Sequence, residues 1–365
     1  MIRVLVVDDS AVVRKVLSEE LSRTGDIQVV GTAIDPYAAR ERIAELDPDV
    51  LTLDIEMPRM DGLSFLAKLM RHHPLPVVVV SSVTPENGET ALEALRLGAV
   101  EVIPKPGSQF SVPDVRRHLA RAIRAAARAH LVATPERTTP SPGDGRAPPS
   151  GLRGLAGVNT TDKLVALGAS TGGTRALEEI LRDLPPDVPG IIIVQHMPSG
   201  FTRAFAERLN DVSAIQVREA QEGDRIVPGR ALVAPGGQHM LVRRRGAELL
   251  ASIRPGPPVN YHRPSVDVLF QSVARTMGGN AVGAILTGMG GDGAAGLLEM
   301  RKAGAYTVVQ DQDSSVVFGM PRVALEVGGA NEVVPLPKMA DALLRALREP
   351  STGSDSQPSR TAVSN

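Results

Sequence analysis

Chemistry is most concentrated at 164–173, LVALGASTGG, where an apolar run gives way to a glycine, a serine and two more glycines. Val165, Ala166 and Leu167 read as a buried strand, and Gly168 to Gly173 as a sharp turn into a helix starting near Thr174. Ser170 then stands at the crest of the turn, above the carboxyl edge of a sheet, where α/β folds bind ligands. The glycines beside it let a substrate approach the backbone closely. Gly168-x-Ser170-x-Gly172 matches the nucleophile-elbow spacing, but the same residues also describe a tight turn or a phosphate-cradling loop. Two more strand ends decide between these. A buried strand at 190–194 runs into Gln195-His196-Met197-Pro198 and a helix over about 199–209, and another at 282–286 runs into a glycine loop holding Met289 and Asp292.

Serine is a poor nucleophile at neutral pH unless an imidazole takes its proton, and the imidazole needs a carboxylate to hold its tautomer. Ser170, His196 and Asp292 supply these three groups, in an order unlike that of α/β-hydrolases, where histidine comes last. Singly, Asp292 reads as a helix N-cap and His196 as a satisfied core imidazole. Backbone N–H groups at Met289 and at Thr171, beside the serine, are candidates for an oxyanion hole. His239 and His262 have no metal-ligand spacing and read as structural or groove residues.

The first part of the chain holds a different set. Strands at 2–7, 29–33, 50–53, 77–81 and 100–103 alternate with helices near 11–23, 36–46, 62–72, 88–97 and 113–130, which predicts a parallel sheet covered on both faces. At its strand ends lie Asp8 and Asp9, Asp54, Ser81 and Lys105. Carboxylates converging on one edge repel one another unless a hard cation sits between them, and magnesium takes carboxylates, waters and a phosphate oxygen. Lys105 would neutralise an incoming phosphoryl group, and the Ser81 hydroxyl would hydrogen-bond it.

Composition narrows the classes. The 365 residues suffice for two cores, the net charge is -1, and there is no cysteine, which excludes disulfides and thiolate chemistry and fits a reducing cytoplasm. No apolar run is long enough to span a bilayer, and the N-terminus carries acidic residues where an export signal would be apolar. The arginines of the helix from 114 to 130 lack interleaved aromatics, so they read as a solvated face and not as a nucleic-acid surface. A Pro/Gly/Ser-rich stretch within 126–161 reads as a helix end and flexible linker, dividing a domain at 1–125 from one at 162–349, with a polar tail at 350–365.

With these residues assembled, 1–125 resembles a response-regulator receiver domain. The resemblance implies a flavodoxin-like fold with Asp54 as phosphoacceptor, Asp8, Asp9 and Asp54 holding Mg2+, Ser81 and Lys105 as the phosphate switch, and a histidine kinase as phosphodonor. Val102 stands where many receivers carry an aromatic switch residue, so the signal is expected to pass through an interdomain surface. The second half resembles the catalytic domain of the chemotaxis methylesterases through GASTGG, QHMPSGFTRAFAERLN, APGGQHM, PPVNYHRPSVDVLF, LTGMGGDGA and QDQDSSVVFGMP. That implies a Rossmann-like domain in which Ser170 is nucleophile, His196 base and acid, and Asp292 orienter, with Met289 donating from its backbone. The implied substrates are γ-glutamyl methyl esters, and in some members glutamines, on the cytoplasmic helices of chemoreceptors. Arg203, Arg254 and Arg263 are candidate contacts for acidic receptor faces. The rival readings are the same triad serving receptor-like proteins of a parallel pathway, and a non-enzymatic docking regulator.

Overall fold

The computed structural model describes residues 1–57, 61–82, 85–105, 112–129 and 162–348. The linker beyond Ala129 and the tail at 350–365 lie outside the described residues.

The N-terminal part alternates β1 (Ile2–Val7), α1 (Ala11–Ser22), β2 (Ile27–Ala33), α2 (Pro36–Leu46), β3 (Val50–Asp54), α3 (Gly62–His72), β4 (Val77–Ser81), α4 (Pro85–Arg96), β5 (Glu101–Pro104) and α5 (Val112–Ala126). The local chemistry of these boundaries is ordinary: Ser10 caps α1 by accepting from Val13 N, and Asp35 caps α2 with Pro36 in its first turn. The central strands β3 and β4 are buried along their whole length because helices cover both faces, and the five strands pair in parallel in the order β2-β1-β3-β4-β5. The order reverses between β1 and β3, so the ends of those strands, Asp8 and Asp54, flank the switch-point crevice.

The C-terminal part runs β6 (Leu164–Ala169), α6 (Gly173–Arg182), β7 (Gly190–Gln195), α7 (Thr202–Val212), β8 (Gln216–Glu219), β9 (Arg230–Val233), β10 (His239–Arg245), β11 (Glu248–Arg254), α8 (Val266–Met277), β12 (Ala281–Ile285), α9 (Ala294–Lys302), β13 (Tyr306–Gln310), α10 (Met320–Glu326), β14 (Glu332–Val334) and α11 (Met339–Arg348). Its sheet is parallel, in the order β14-β13-β12-β6-β7-β9-β8, and β10 and β11 form a separate antiparallel hairpin. Both parts are therefore α/β with parallel sheets, as expected. The strands ending in Ser170, His196 and Asp292 are immediate neighbours in space, β12-β6-β7, although four strands separate β7 from β12 in sequence.

The two parts pack on each other. Leu92 of α4 is buried in one cluster with Phe205 of α7, while Phe201, just before α7, is buried in the N-terminal core. The helices come so close that a Cβ on Gly88 would lie 3.2 Å from that of Ala204.

Candidate active site

Ser170 is set by the turn between β6 and α6. Its N–H donates to Thr287 O (3.0 Å), its carbonyl accepts from Gly173 N (2.7 Å) and Gln195 Nε2 (2.8 Å), and only 6% of its surface is exposed. Gly172 makes the turn possible at φ +79°, a left-handed conformation that side chains resist. Gly288 admits the neighbouring loop, since a Cβ there would lie 2.7 Å from Ser170 Cβ.

His196 emerges from β7 with its N–H on Ala169 O (3.0 Å), and its Nε2 lies 2.8 Å from Asp292 Oδ2. The pairing with a carboxylate makes Nε2 the protonated nitrogen, which leaves Nδ1 as an acceptor. Nδ1 is buried and has no hydrogen-bond partner. No hydrogen bond joins it to Ser170 Oγ here, although both side chains line one cavity.

Asp292 does not cap the helix that follows it; α9 begins after Gly293 with no side-chain cap. Its carboxylate crosses to the N-terminus of α8, where it accepts from Val266 N (2.7 Å), Ser265 Oγ (2.8 Å) and Asn260 Nδ2 (2.9 Å) besides His196. Burial alone would push its pKa up, but the hydrogen bond and charge of His196, with the donors Asn260 and Ser265, hold it below the usual carboxylate range. An anion is thus kept ionised in the interior by donors from a segment that sequence reasoning did not connect to it. His239 serves this arrangement from behind: its Nδ1 accepts from Ser265 N at 3.2 Å and its Nε2 bonds Pro257 O at 3.0 Å.

His262 has a more intimate place than expected. Its ring stacks on His196 with centroids 3.6 Å apart and planes within 6°. Burial, with the neighbouring His196, Arg121 and His118, pushes its pKa far down, so it is a neutral ring. Arg203 pairs with Glu207 and Arg263 with Gly256 O, and neither these nor Arg254 hydrogen-bonds a triad residue.

The N-terminal part closes over this site. The cavity holding Ser170, Thr171 and His196 is walled on its other side by Leu92, Leu95, Glu101 and Val102. Thr171 Oγ1 donates to Glu101 Oε2 at 2.7 Å, and Arg121 of α5 hydrogen-bonds His262 Nε2. The reading of α5 as a solvated face is therefore corrected at Arg121, which reaches His262, and at Arg116, which pairs with the buried Glu20 (3.2 Å); Arg124 pairs with Asp26 (2.7 Å) at the surface, and Arg117 and Arg128 are exposed. Helix periodicity could not show this, because the carboxylates and imidazole concerned come from other elements.

At the other strand edge, Asp8, Asp9 and Asp54 bring carboxylate oxygens within 4.8 Å of one another. Lys105 Nζ lies 2.7 Å from Asp54 Oδ2 and 3.5 Å from Asp8 Oδ2. Burial pushes Asp8 and Asp54 above the ordinary carboxylate range despite the lysine. Ser81 Oγ turns to Glu56 Oε1 (3.0 Å), which also accepts from Ser82 N (2.9 Å), while Glu56 Oε2 takes Ser82 Oγ (2.8 Å). In the sequence, Glu56 is marked only by its place two residues after Asp54.

Residues 165–343 match the family model described as CheB methylesterase, and residues 4–114 that described as a response regulator receiver domain. A protein-glutamate methylesterase/protein-glutamine glutaminase 2 of Syntrophus aciditrophicus is 54% identical over 344 residues, 94% of this chain and 98% of that one. This chain belongs to the CheB methylesterase family. A protein-glutamate methylesterase/protein-glutamine glutaminase 4 of Anaeromyxobacter dehalogenans is 56% identical over 95% of this chain and 96% of its own length. Among solved structures, the Thermotoga maritima CheB methylesterase catalytic domain is 35% identical, covering 50% of this chain and 97% of that chain with a TM-score of 0.49. The two family-model matches and the curated relatives place an enzyme domain behind a receiver and favour hydrolase chemistry over a docking module. Among the described residues no helix is long and apolar enough to cross a membrane.

Proposed function

We propose that Ser170, His196 and Asp292 hydrolyse glutamate γ-methyl esters, and deamidate glutamines, on the cytoplasmic helices of chemoreceptors, under control of phosphorylation at Asp54. The observation that carries this is the His196–Asp292 hydrogen bond at 2.8 Å, which leaves Nδ1 buried and unpartnered in the cavity it shares with Ser170. Ser170 Oγ attacks the γ-carbonyl carbon as Nδ1 takes its proton, and that proton leaves with the methoxy group as methanol. Water then adds to the glutamyl ester, giving its proton to Nδ1, and the collapse returns a proton to Ser170 and frees the carboxyl product. With glutamine the first leaving group is ammonia. Asp292 stays ionised throughout and steadies the imidazolium. The Thr171 and Met289 amides, which hydrogen-bond no group among the described residues, are the backbone donors for the oxyanion.

In the receiver, three crowded carboxylates with under-compensated burial fit a divalent cation, and Asp8, Asp9 and Asp54 would hold Mg2+. Bound there, the ion supplies charge neutralisation for an incoming phosphoryl group. Lys105 takes up the phosphate charge, and Ser81 leaves Glu56 to donate to a phosphate oxygen. A histidine kinase is the phosphodonor and the cytoplasm the setting, consistent with a chain free of cysteine. Domain limits at 1–125 and 162–349, with a linker between and a tail after, suit this scheme, because phosphorylation must shift the docking of one domain on the other.

The test is methanol release from methylated chemoreceptor membranes by wild type and Ser170→Ala, with and without magnesium and a small phosphodonor. Release that requires Ser170 and rises with phosphodonor supports esterase and control together. No release from wild type under any condition overturns the substrate assignment.

A further inference from the structure

The cavity in front of Ser170 is walled mostly by apolar side chains, and Glu101 is the one carboxylate among the described residues that line it. Among the described residues no lysine or arginine lines it, so none of their cations accounts for an acid there. The carboxylate instead takes a hydrogen bond from a neutral group, the Thr171 hydroxyl, at 2.7 Å. Thr171 follows the nucleophile directly, is only 3% exposed, and is held in place by Thr287 Oγ1 on its carbonyl (2.9 Å). Its hydroxyl donates to no other group among the described residues. Glu101 stands at the start of β5, an edge strand, and from there its side chain reaches across the domain boundary. It presents the same γ-carboxyl, on the same two-methylene tether, that the proposed reaction leaves on a receptor glutamate.

We infer that Glu101 is a built-in analogue of the product, and that the Thr171 hydroxyl it occupies is the group that receives the γ-carbonyl oxygen of the substrate side chain. The inference rests on the methylesterase reading of Ser170 and adds a side-chain donor to the backbone ones. A neutral hydroxyl in an apolar cavity serves an uncharged ester or amide well. It gives a carboxylate one hydrogen bond and no countercharge, so the product is released more readily than the substrate. Glu101 is retained despite this because the docked receiver carries it, which makes its binding intramolecular. Thr171 is thereby a specificity residue as well as a contact: it favours the esterified or amidated side chain over the free acid.

The experiment uses the full-length chain and methylated receptor membranes, without phosphodonor. Glu101→Ala raises methanol release about tenfold, the equivalent of one hydrogen bond to a charged group, whereas Glu101→Gln, which keeps an accepting oxygen, stays within about threefold of wild type. In the Glu101→Ala background, Thr171→Ser keeps kcat/KM within about threefold and Thr171→Val lowers it about 10- to 100-fold, for methyl ester and glutamine alike. Thr171→Ala, which adds no methyl group, carries the measurement if the valine variant does not fold. Full kcat/KM in a hydroxyl-free variant overturns the role of Thr171, and no rise in Glu101→Ala overturns that of Glu101. Ser170→Ala in the same background separates the failures: methanol release that survives it overturns the triad reading itself.

Discussion

Both domains place their carboxylates at the ends of parallel strands beside a switch point, yet they treat buried charge in opposite ways. Asp292 is 1% exposed and its pKa is lowered, because an imidazole, an amide, a hydroxyl and a backbone N–H all point at it. Asp54 is fully buried, and its pKa is raised, because Lys105 and one backbone N–H do not offset its burial beside Asp8 and Glu56. The satisfied carboxylate suits a permanent anion that orients a base. The under-satisfied set suits a site whose complement arrives from outside, as a cation and a phosphoryl group. Burial by itself therefore does not distinguish the two roles; the count of donors does.

The comparison can be broken at several points. The largest effect is expected from Ser170→Ala, which lowers methanol release by about 10⁵-fold or more, as loss of a triad nucleophile does. Asp292→Asn comes next, with kcat down about 10³- to 10⁴-fold, because the imidazole loses the partner that sets its tautomer. The same substitution lowers the thermal midpoint, since five donors lose their anion. Because the folded pKa of Asp292 lies below its unfolded one, its contribution to stability is complete above the unfolded value and is lost as pH falls through the folded one.

Asp54→Asn should do the reverse to stability. Removing one of three crowded carboxylates raises the metal-free midpoint, by about 1 kcal/mol of stability, while abolishing stimulation by phosphodonor. Calorimetry of the two Asp→Asn variants side by side checks the contrast, and shifts of the same sign would sink it. Glu56→Ala removes the acceptor shared by the hydroxyls of Ser81 and Ser82 and the Ser82 amide, and should cost about 1 kcal/mol. The smallest effect belongs to the surface: Arg124 holds Asp26 down at about 2, but the pair is solvent-screened, so Asp26→Asn costs no more than about 1 kcal/mol at neutral pH. That small contribution is present above the unfolded pKa and fades as pH falls toward the folded one.

Much of this was legible in the chain. Apolar runs of strand length mark β1, β4 and the start of β7 to the residue, and polar residues directly after such runs had to fall on one edge. Local pattern is less informative at 216–254, where β8 to β11 are short or alternate weakly with charged residues. The partners of Asp292 were also hidden: Asn260 and Ser265 lie 32 and 27 residues away and meet it only because α8 packs against α9.

The sequence by itself determined the elements, the strand-end chemistry and the family likeness, because these depend on residues adjacent in the chain. Only the tertiary structure decided that His262 lies flat on His196, that Arg121 is bound to it, and that Glu101 sits on Thr171. Those contacts join residues 66 to 141 positions apart, and their geometry follows from how helices and sheet edges pack, which no local periodicity encodes.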